Sequence, residues 1–147
     1  MKREEVRAFI KAGVNAVNTG YKFNSGRITE FNSNRSNEYP YLWLESLSSS
    51  PNILPETQLT VEAWNIVIHV AKQDSPDSKP EQYEAIVDQC DLIAVELTKQ
   101  LNIDLMYSDL TVIEGISREP FIHKHADNTT GVILSFTLVD YNPTNVC

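Results

Sequence analysis

Residues 78–101, with the sequence SKPEQYEAIVDQCDLIAVELTKQL, decide the fold of this chain. Apolar residues recur in this stretch at spacings of three and four, which is the stripe of an amphipathic helix of about six turns. The residues of the stripe are Tyr83, Ile86, Val87, Cys90, Ile93, Ala94, Leu97 and Leu101. We expect this side of the helix to be buried against the rest of the protein.

The two ends of this helix carry their own signals. Ser78 and Glu81 form a Ser-x-x-Glu capping box, and Pro80 stands in the first turn, where its missing N–H is not needed. Asn102 follows the last apolar residue and tolerates the left-handed conformation that ends many helices. The prediction is therefore a helix over residues 79–101.

Two segments alternate between large apolar and smaller or polar residues, as strands with one covered face do. They are residues 58–71 and residues 131–141. Their apolar faces consist of Trp64, Ile66, Ile68 and Val70 in the first segment, and of Val132, Leu134, Phe136 and Leu138 in the second. Both faces should lie under helices.

Less regular patterns complete the architecture. Strands are predicted over residues 27–31, 41–47 and 105–116, the second of them with both faces partly covered, and residues 118–130 form the connection to the last strand. Residues 2–18 predict a second amphipathic helix. The chain should therefore form a single α+β domain over residues 1–147. Its antiparallel or mixed sheet is covered on one face by the N-terminal helix and the long central helix.

Flexible loops are predicted near residues 24–38 and 48–58, and a short tail follows the last strand. The Asn- and Ser-rich composition of the first loop suits either a simple turn or an arm that orders on a partner. The aliphatic pair in the second loop either tucks back onto the core or contacts a neighbour. Candidate contact residues of the two loops are Arg27, Arg35, Ile53 and Leu54.

Composition argues against several kinds of site. The net charge of −8 argues against a surface that grips nucleic-acid phosphates, although not against one that DNA slides past. The five glycines form no Gly-x-Gly-x-x-Gly or Walker-type loop, so nucleotide sites of those kinds are not expected. No apolar run approaches the ~20 residues of a membrane helix, and no apolar region follows the basic amino terminus. We therefore expect no membrane span and no signal peptide.

The histidines and cysteines offer the residue types of metal or catalytic sites. His123 and His125 lie two residues apart and could meet one ion with Asp127 as a third ligand, although solvated residues at a strand end have the same pattern. A catalytic His69 would need a nearby nucleophile in a pocket, and no nucleophile-elbow motif is present. Cys90 belongs to the apolar stripe, and neither spacing nor compartment favours a disulfide with the last residue. We expect no cofactor and no catalytic residue.

The polar side of the predicted central helix carries several carboxylates and two additional apolar residues. Either it is a solvated face, or it is an acidic wall within a larger assembly. Leu92 and Val95 widen the apolar sector beyond the stripe, as a residue pair buried against a neighbouring subunit would. Candidates for a subunit contact or a channel wall are Asp88, Asp91, Leu92 and Val95.

Three features together give the chain a family resemblance. They are the strand opening 39–43 (YPYLW), the strand 64–70 (WNIVIHV) leading through a Pro-containing loop to an acidic helix with Cys90 and Asp91, and a terminal strand that closes with residues 140–147 (DYNPTNVC). In element order the chain resembles the small neck and tail-connector proteins of tailed bacteriophages, of the tail-completion or tail-terminator type. Its ending is similar to virion proteins of phages that infect Bacteroides-like hosts.

This resemblance implies a non-enzymatic virion protein that forms a homo-oligomeric ring at the head–tail junction. Portal or adaptor proteins would lie on one side and the tail tube on the other, with the loops gripping neighbours. An acidic channel would repel the DNA backbone, so that the genome passes without sticking. Two other functions stay open on the residues alone. One is a small metal-dependent or hydrolytic enzyme that uses His69 or His123 and His125, and the other is an acidic binding or inhibitor module that mimics nucleic acid.

Overall fold

The computed structural model describes residues 2–17, 20–27, 41–53, 60–75, 77–106, 111–124 and 129–140. This part of the chain forms two helices and six strands. The helices are α1 (Arg3–Val17) and α2 (Pro80–Asp104). The strands are β1 (Lys22–Gly26), β2 (Tyr41–Glu45), β3 (Ser48–Ile53), β4 (Thr60–Gln73), β5 (Thr111–Lys124) and β6 (Thr129–Asp140). The predicted α+β class is confirmed.

All six strands belong to one mixed sheet with the order β1-β2-β4-β6-β5, and β3 pairs with β4 beyond the end of β2. The β1–β2 pair is parallel, and the other pairs are antiparallel. The longest pairing joins β4 and β6, from Glu62 opposite Asp140 to Gln73 opposite Thr129. The strands β1 and β5 therefore lie at opposite edges of the described sheet.

One face of the sheet packs against both helices and forms the main core. Cross-strand partners share a face of a sheet, so the pairs Leu44–Ile68 and Ile68–Leu134 place the large aliphatic residues of β2, β4 and β6 together. From the helices, this core receives Val6, Ile10, Val14, Cys90, Ala94, Leu97 and Leu101, all buried. The apolar faces predicted for the two long strands are confirmed. The predicted stripe of α2 is confirmed from Ile86 to Leu101, whereas Tyr83 is not part of this core.

The ends of α2 differ from the prediction. Lys79 is the N-cap, and its backbone N–H donates to the side-chain oxygen of Gln82 at 2.9 Å. The hydroxyl of Ser78 donates instead to Asp74 at 2.9 Å, so the proposed Ser78–Glu81 capping box was wrong by one residue. At the other end the helix continues to Asp104, because an exposed asparagine inside a helix costs only a few tenths of a kcal/mol. The predicted helix end at Asn102 was therefore wrong.

The strand after α2 begins later and runs further than predicted. The prediction placed it over residues 105–116, whereas β5 begins at Thr111 and continues through Pro120 to Lys124. A proline is tolerated there because β5 is an edge strand with one unpaired side in the described sheet. The register of β5 against β6 shifts between Glu114 and Ser117, and Gly115 within this shift has φ +62°. A shift of this kind with a left-handed glycine is a β-bulge.

Both predicted loop regions contain strand. Residues 24–26 belong to β1, which pairs with β2. Of the strand predicted over residues 27–31, Arg27 directly follows β1, and residues 28–31 lie outside the described residues. The backbone of residues 48–53 forms β3, which pairs with β4 and was predicted as loop. Sequence patterns missed both strands because Ser, Asn and Gly have low strand propensity, which pairing with a neighbouring strand can override. The remaining residues of the two predicted loops, 28–38 and 54–58, lie outside the described residues.

Candidate functional site

The candidate residues of the central helix come together on the side of α2 that faces the edge strand β5. Asp88 and Asp91 line a shallow depression with Arg118 and Pro120 of β5. A guanidinium nitrogen of Arg118 donates to Oδ2 of Asp91 at 2.8 Å, and both side chains are partly exposed. An ion pair this open to solvent contributes about 0–1 kcal/mol to stability, so it positions the two elements more than it stabilises them.

A groove of about 200 Å³ continues along the same side of α2. Val95, Thr98, Lys99 and Asn102 of the helix and Ile116 and Arg118 of β5 form its walls. Leu92 lies one turn from Val95 on the same side of the helix and is 61% exposed. All four residues proposed from the sequence therefore lie along one border of the molecule. We refer to Asp88, Asp91, Leu92, Val95, Ile116 and Arg118 as the α2–β5 surface.

Exposed apolar residues concentrate in the same region. In the described part of the chain, every large hydrophobic side chain that is strongly exposed comes from α2, from the turn that follows it, or from β5. These residues are Leu92, Ile103, Met106, Val112, Ile116 and Ile122. Scattered exposed apolar residues are ordinary, whereas their restriction to two adjacent elements is a pattern that interaction surfaces share.

A second cluster lies on the opposite, outer face of the sheet. Nε2 of His69 lies 2.8 Å from Oε2 of Glu45, and the imidazole is only 4% exposed. Tyr41, Trp43 and Phe121 are buried beside it, with the rings of His69 and Phe121 6.1 Å apart. Catalytic triads contain the same kind of pair, in which a carboxylate hydrogen-bonds to a histidine and orients it toward a nucleophile.

Cys90, the cysteine among the described residues, cannot be the nucleophile of such a triad. Its thiol is buried on the helix-covered face of the sheet, whereas His69 lies on the outer face. Its sulfur lies 4.0 Å from the hydroxyl of Tyr21. Burial raises the pKa of the Cys90 thiol from 9.0 to about 11, against smaller lowering effects of Tyr21 and Lys72. The pKa of Tyr21 is also raised, chiefly by burial and then by Cys90. Cys90 is therefore a core residue, as the sequence predicted, and its thiol is protonated at neutral pH.

The raised pKa of Cys90 predicts a loss of stability in alkaline solution. The unfolded chain releases this proton near pH 9.0 and the folded chain only near pH 11, so the free energy of unfolding should fall as pH rises between these values. Urea unfolding of the reduced protein at several pH values measures the decline. The variant Cys90→Ala should show a shallower decline, and an unchanged pH dependence in this variant would contradict the assignment.

The proposed metal ligands and most of the loop contacts are not among the described side chains. His123 lies on β5, but its side chain is outside the described structure, as are the residues His125 and Asp127 entirely. In the part that is described, no group of three or more His, Cys, Asp or Glu residues has an arrangement that could hold a metal ion. Of the loop candidates, Arg27 is exposed directly after β1, and the side chain of Ile53 is not described. Arg35 and Leu54 lie outside the described residues.

Sequence reasoning missed the partner elements of both clusters. Arg118 and Pro120 were assigned to the connection before the last strand, whereas both belong to β5. The Glu45–His69 pair depends on the register that places Trp43 opposite His69, which no local pattern reveals. The strand alternation of residues 41–45 and 64–70 is the one signal that could have placed Glu45 and His69 on the same face.

Among the described helices, none is long and apolar enough to cross a membrane. Comparison of the chain with protein-family models and with curated proteins found no match.

Proposed function

We propose that this chain is a structural virion protein that forms a homo-oligomeric ring at the head–tail junction of a tailed bacteriophage. The observation that carries the proposal is the restriction of exposed large apolar side chains to α2, the turn after it and β5. Interfaces between subunits use patches of this kind, in which apolar residues form the centre and charged residues the rim. On the α2–β5 surface, Leu92, Val95 and Ile116 would be the centre, and Asp88 and Arg118 the rim.

The edge position of β5 supports the same proposal. An edge strand presents unpaired backbone groups, which offer hydrogen bonds to a neighbouring chain. Pro120 and the bulge at Gly115 interrupt this edge, as do charged side chains at Glu114 and Glu119. These interruptions disfavour indiscriminate strand pairing and leave a side-chain-mediated contact as the specific one.

The charge of the chain is compatible with a DNA channel. With a net charge of −8, the protein would repel the phosphate backbone, so DNA would pass through a ring of such subunits without being held. The exposed carboxylates of α2 that the α2–β5 contact does not use are the proposed channel wall. Portal, adaptor or tail-tube proteins are the proposed neighbours above and below the ring, and the virion is the proposed location.

The proposal predicts self-association that depends on the α2–β5 surface. Sedimentation velocity at increasing protein concentration should show oligomers of the wild-type chain, and negative-stain images should show rings. Leu92→Asp and Ile116→Asp each place a charge at the centre of the contact, so each should raise the dissociation constant at least about tenfold. Circular dichroism should show an unchanged fold, because both side chains are strongly exposed.

The matched control is Asn65→Asp, which adds the same charge at an exposed position on the outer face of β4. This variant should associate like the wild type. A wild-type chain that stays monomeric at every concentration, or that turns over a substrate with the help of His69, would overturn the proposed function.

A further inference from the structure

The edge of the molecule opposite the α2–β5 surface is basic. Residues 2–27, which include α1 and β1, contain six basic and only two acidic residues. Arg3, Arg7 and Lys11 follow one another at four-residue spacing and so share one side of α1. All three are exposed, as are Lys22 and Arg27 of the β1 region. We refer to Arg3, Arg7, Lys11, Lys22 and Arg27 as the α1–β1 edge.

A cleft of about 240 Å³ lies within this edge. Arg3 and Arg7 of α1 line it together with Ser25 and Gly26 of β1 and residues 44–47. Arg3 is held in place, since its Nε donates to the carbonyl oxygen of Leu47 at 3.4 Å and its guanidinium lies 5.7 Å from the ring centre of Trp64. Arg7 extends from the next turn of α1 and is exposed, so it is available to a partner.

The α2–β5 surface has the opposite charge. Of the six residues that define it, Asp88 and Asp91 are acidic and only Arg118 is basic. If two copies associated through the α2–β5 surface of each, acidic residues of one copy would face acidic residues of the other, which is unfavourable. The same surface against the α1–β1 edge brings carboxylates to arginines and lysines. The sheet order places β1 and β5 at opposite edges, and Arg3 and Arg7 of α1 line the cleft beside β1, so one copy can use both surfaces at once.

We propose that the α2–β5 surface of one copy binds the α1–β1 edge of a second copy, so that the subunits join head to tail. This inference rests on the proposed function and names the two surfaces that the ring contact uses. Leu92 of one copy inserts at the mouth of the cleft of the next, and Asp88 faces Arg7. Such a heterologous contact leaves one free surface at each end of a chain of subunits and closes into a ring when the rotation per subunit allows it.

Charge reversal on each surface tests the pairing. Arg7→Glu and Asp88→Lys both change exposed residues that make no described core contact, so both variants should fold like the wild type. Each variant alone should self-associate about ten- to a hundredfold more weakly than the wild type, because one pair of opposite charges becomes a like-charged pair. Rising salt should weaken the wild-type contact, since exposed charges are screened.

Two combinations provide the decisive readouts. The double variant Arg7→Glu/Asp88→Lys restores opposite charges at every contact, so it should recover association. An equimolar mixture of the two single variants should also assemble, because each contact then joins either two wild-type residues or two reversed ones. Asn65→Lys and Asn65→Glu, placed outside both surfaces, are the controls for added charge, and sedimentation velocity measures each sample.

The outcomes separate this inference from the function on which it rests. Recovery in the double variant and in the mixture supports the head-to-tail contact. If Leu92→Asp abolishes association while Arg7→Glu leaves it unchanged, the α1–β1 edge is not the partner surface, and the head-to-tail contact is overturned while the ring function survives. A wild-type chain that is monomeric at low salt and high concentration overturns both.

Discussion

Replacing Gly131 with alanine is expected to lower the free energy of unfolding by more than about 4 kcal/mol, which for a domain of this size abolishes folding or leaves it marginal. Gly131 of β6 lies opposite Ala71 of β4 and close to the backbone of Val70. A β-carbon at Gly131 would overlap the carbonyl oxygen of Val70 and lie 2.9 Å from its carbonyl carbon. Both are backbone atoms of the central strand, so no side-chain movement relieves the overlap. The two longest-paired strands would have to separate.

Gly115→Ala provides the control for this prediction. Gly115 has φ +62°, but no atom lies within 4 Å of the position that a β-carbon would occupy. The substitution therefore adds only the strain of a left-handed conformation, about 1–2 kcal/mol. Urea unfolding followed by circular dichroism compares the two variants. Equal losses of stability at positions 131 and 115 would show that backbone conformation, and not the close approach of β4 to β6, is what requires glycine.

Truncating Ile68 to alanine is expected to lower the free energy of unfolding by about 2–5 kcal/mol. Ile68 is fully buried in the centre of the sheet, with Leu44 and Leu134 as its neighbours on β2 and β6. Removing its outer carbons leaves a cavity that three strands and the helices above them cannot close without moving. Ile68→Val removes a single methylene and should lower the free energy of unfolding by only about 0.5–1.5 kcal/mol.

The same unfolding experiment on Val67→Ala supplies the comparison for Ile68. Val67 is the preceding residue of β4, and its side chain is half-buried on the outer face of the sheet. Truncating Val67 should lower the free energy of unfolding by less than truncating Ile68 does. The slope of the free energy of unfolding against urea concentration should be the same in all variants. A loss at Val67 as large as that at Ile68 would contradict the assignment of the main core to the helix-covered face.

Much of this fold could be predicted because its long elements repeat one pattern many times. The stripe of α2 contains eight apolar residues, so an error at one of them does not change the predicted helix. The alternation around Trp64 and Leu134 likewise identifies the buried face of each strand, since only one face of the sheet meets the helices. The spacing of apolar residues predicts which side of a helix or strand is buried, and each of these segments has one buried side.

The remaining features depend on contacts between segments that are distant in the sequence. Pro120 lies in a strand only because β5 is at the edge of the sheet, and edge position is a property of the whole topology. The polar residues of β1 and β3 form strands because β2 and β4 offer them backbone partners. For the candidate site, Leu92 and Val95 were predicted because they extend an apolar stripe. Ile116 and Arg118 were not, because their place beside α2 depends on the register of β5.

The position of β6 has a consequence for how the chain folds during its synthesis. β6 is made after all the other described strands, yet it lies between β4 and β5, which are made earlier and are joined in the sheet only through it. Until β6 arrives, one long side of β4 is an open apolar edge, the kind of surface that chaperones recognise and that aggregates. Pairing over such sequence separations is slow, on the order of milliseconds to seconds. The sheet should therefore be completed in a single late step, once β6 has been synthesised.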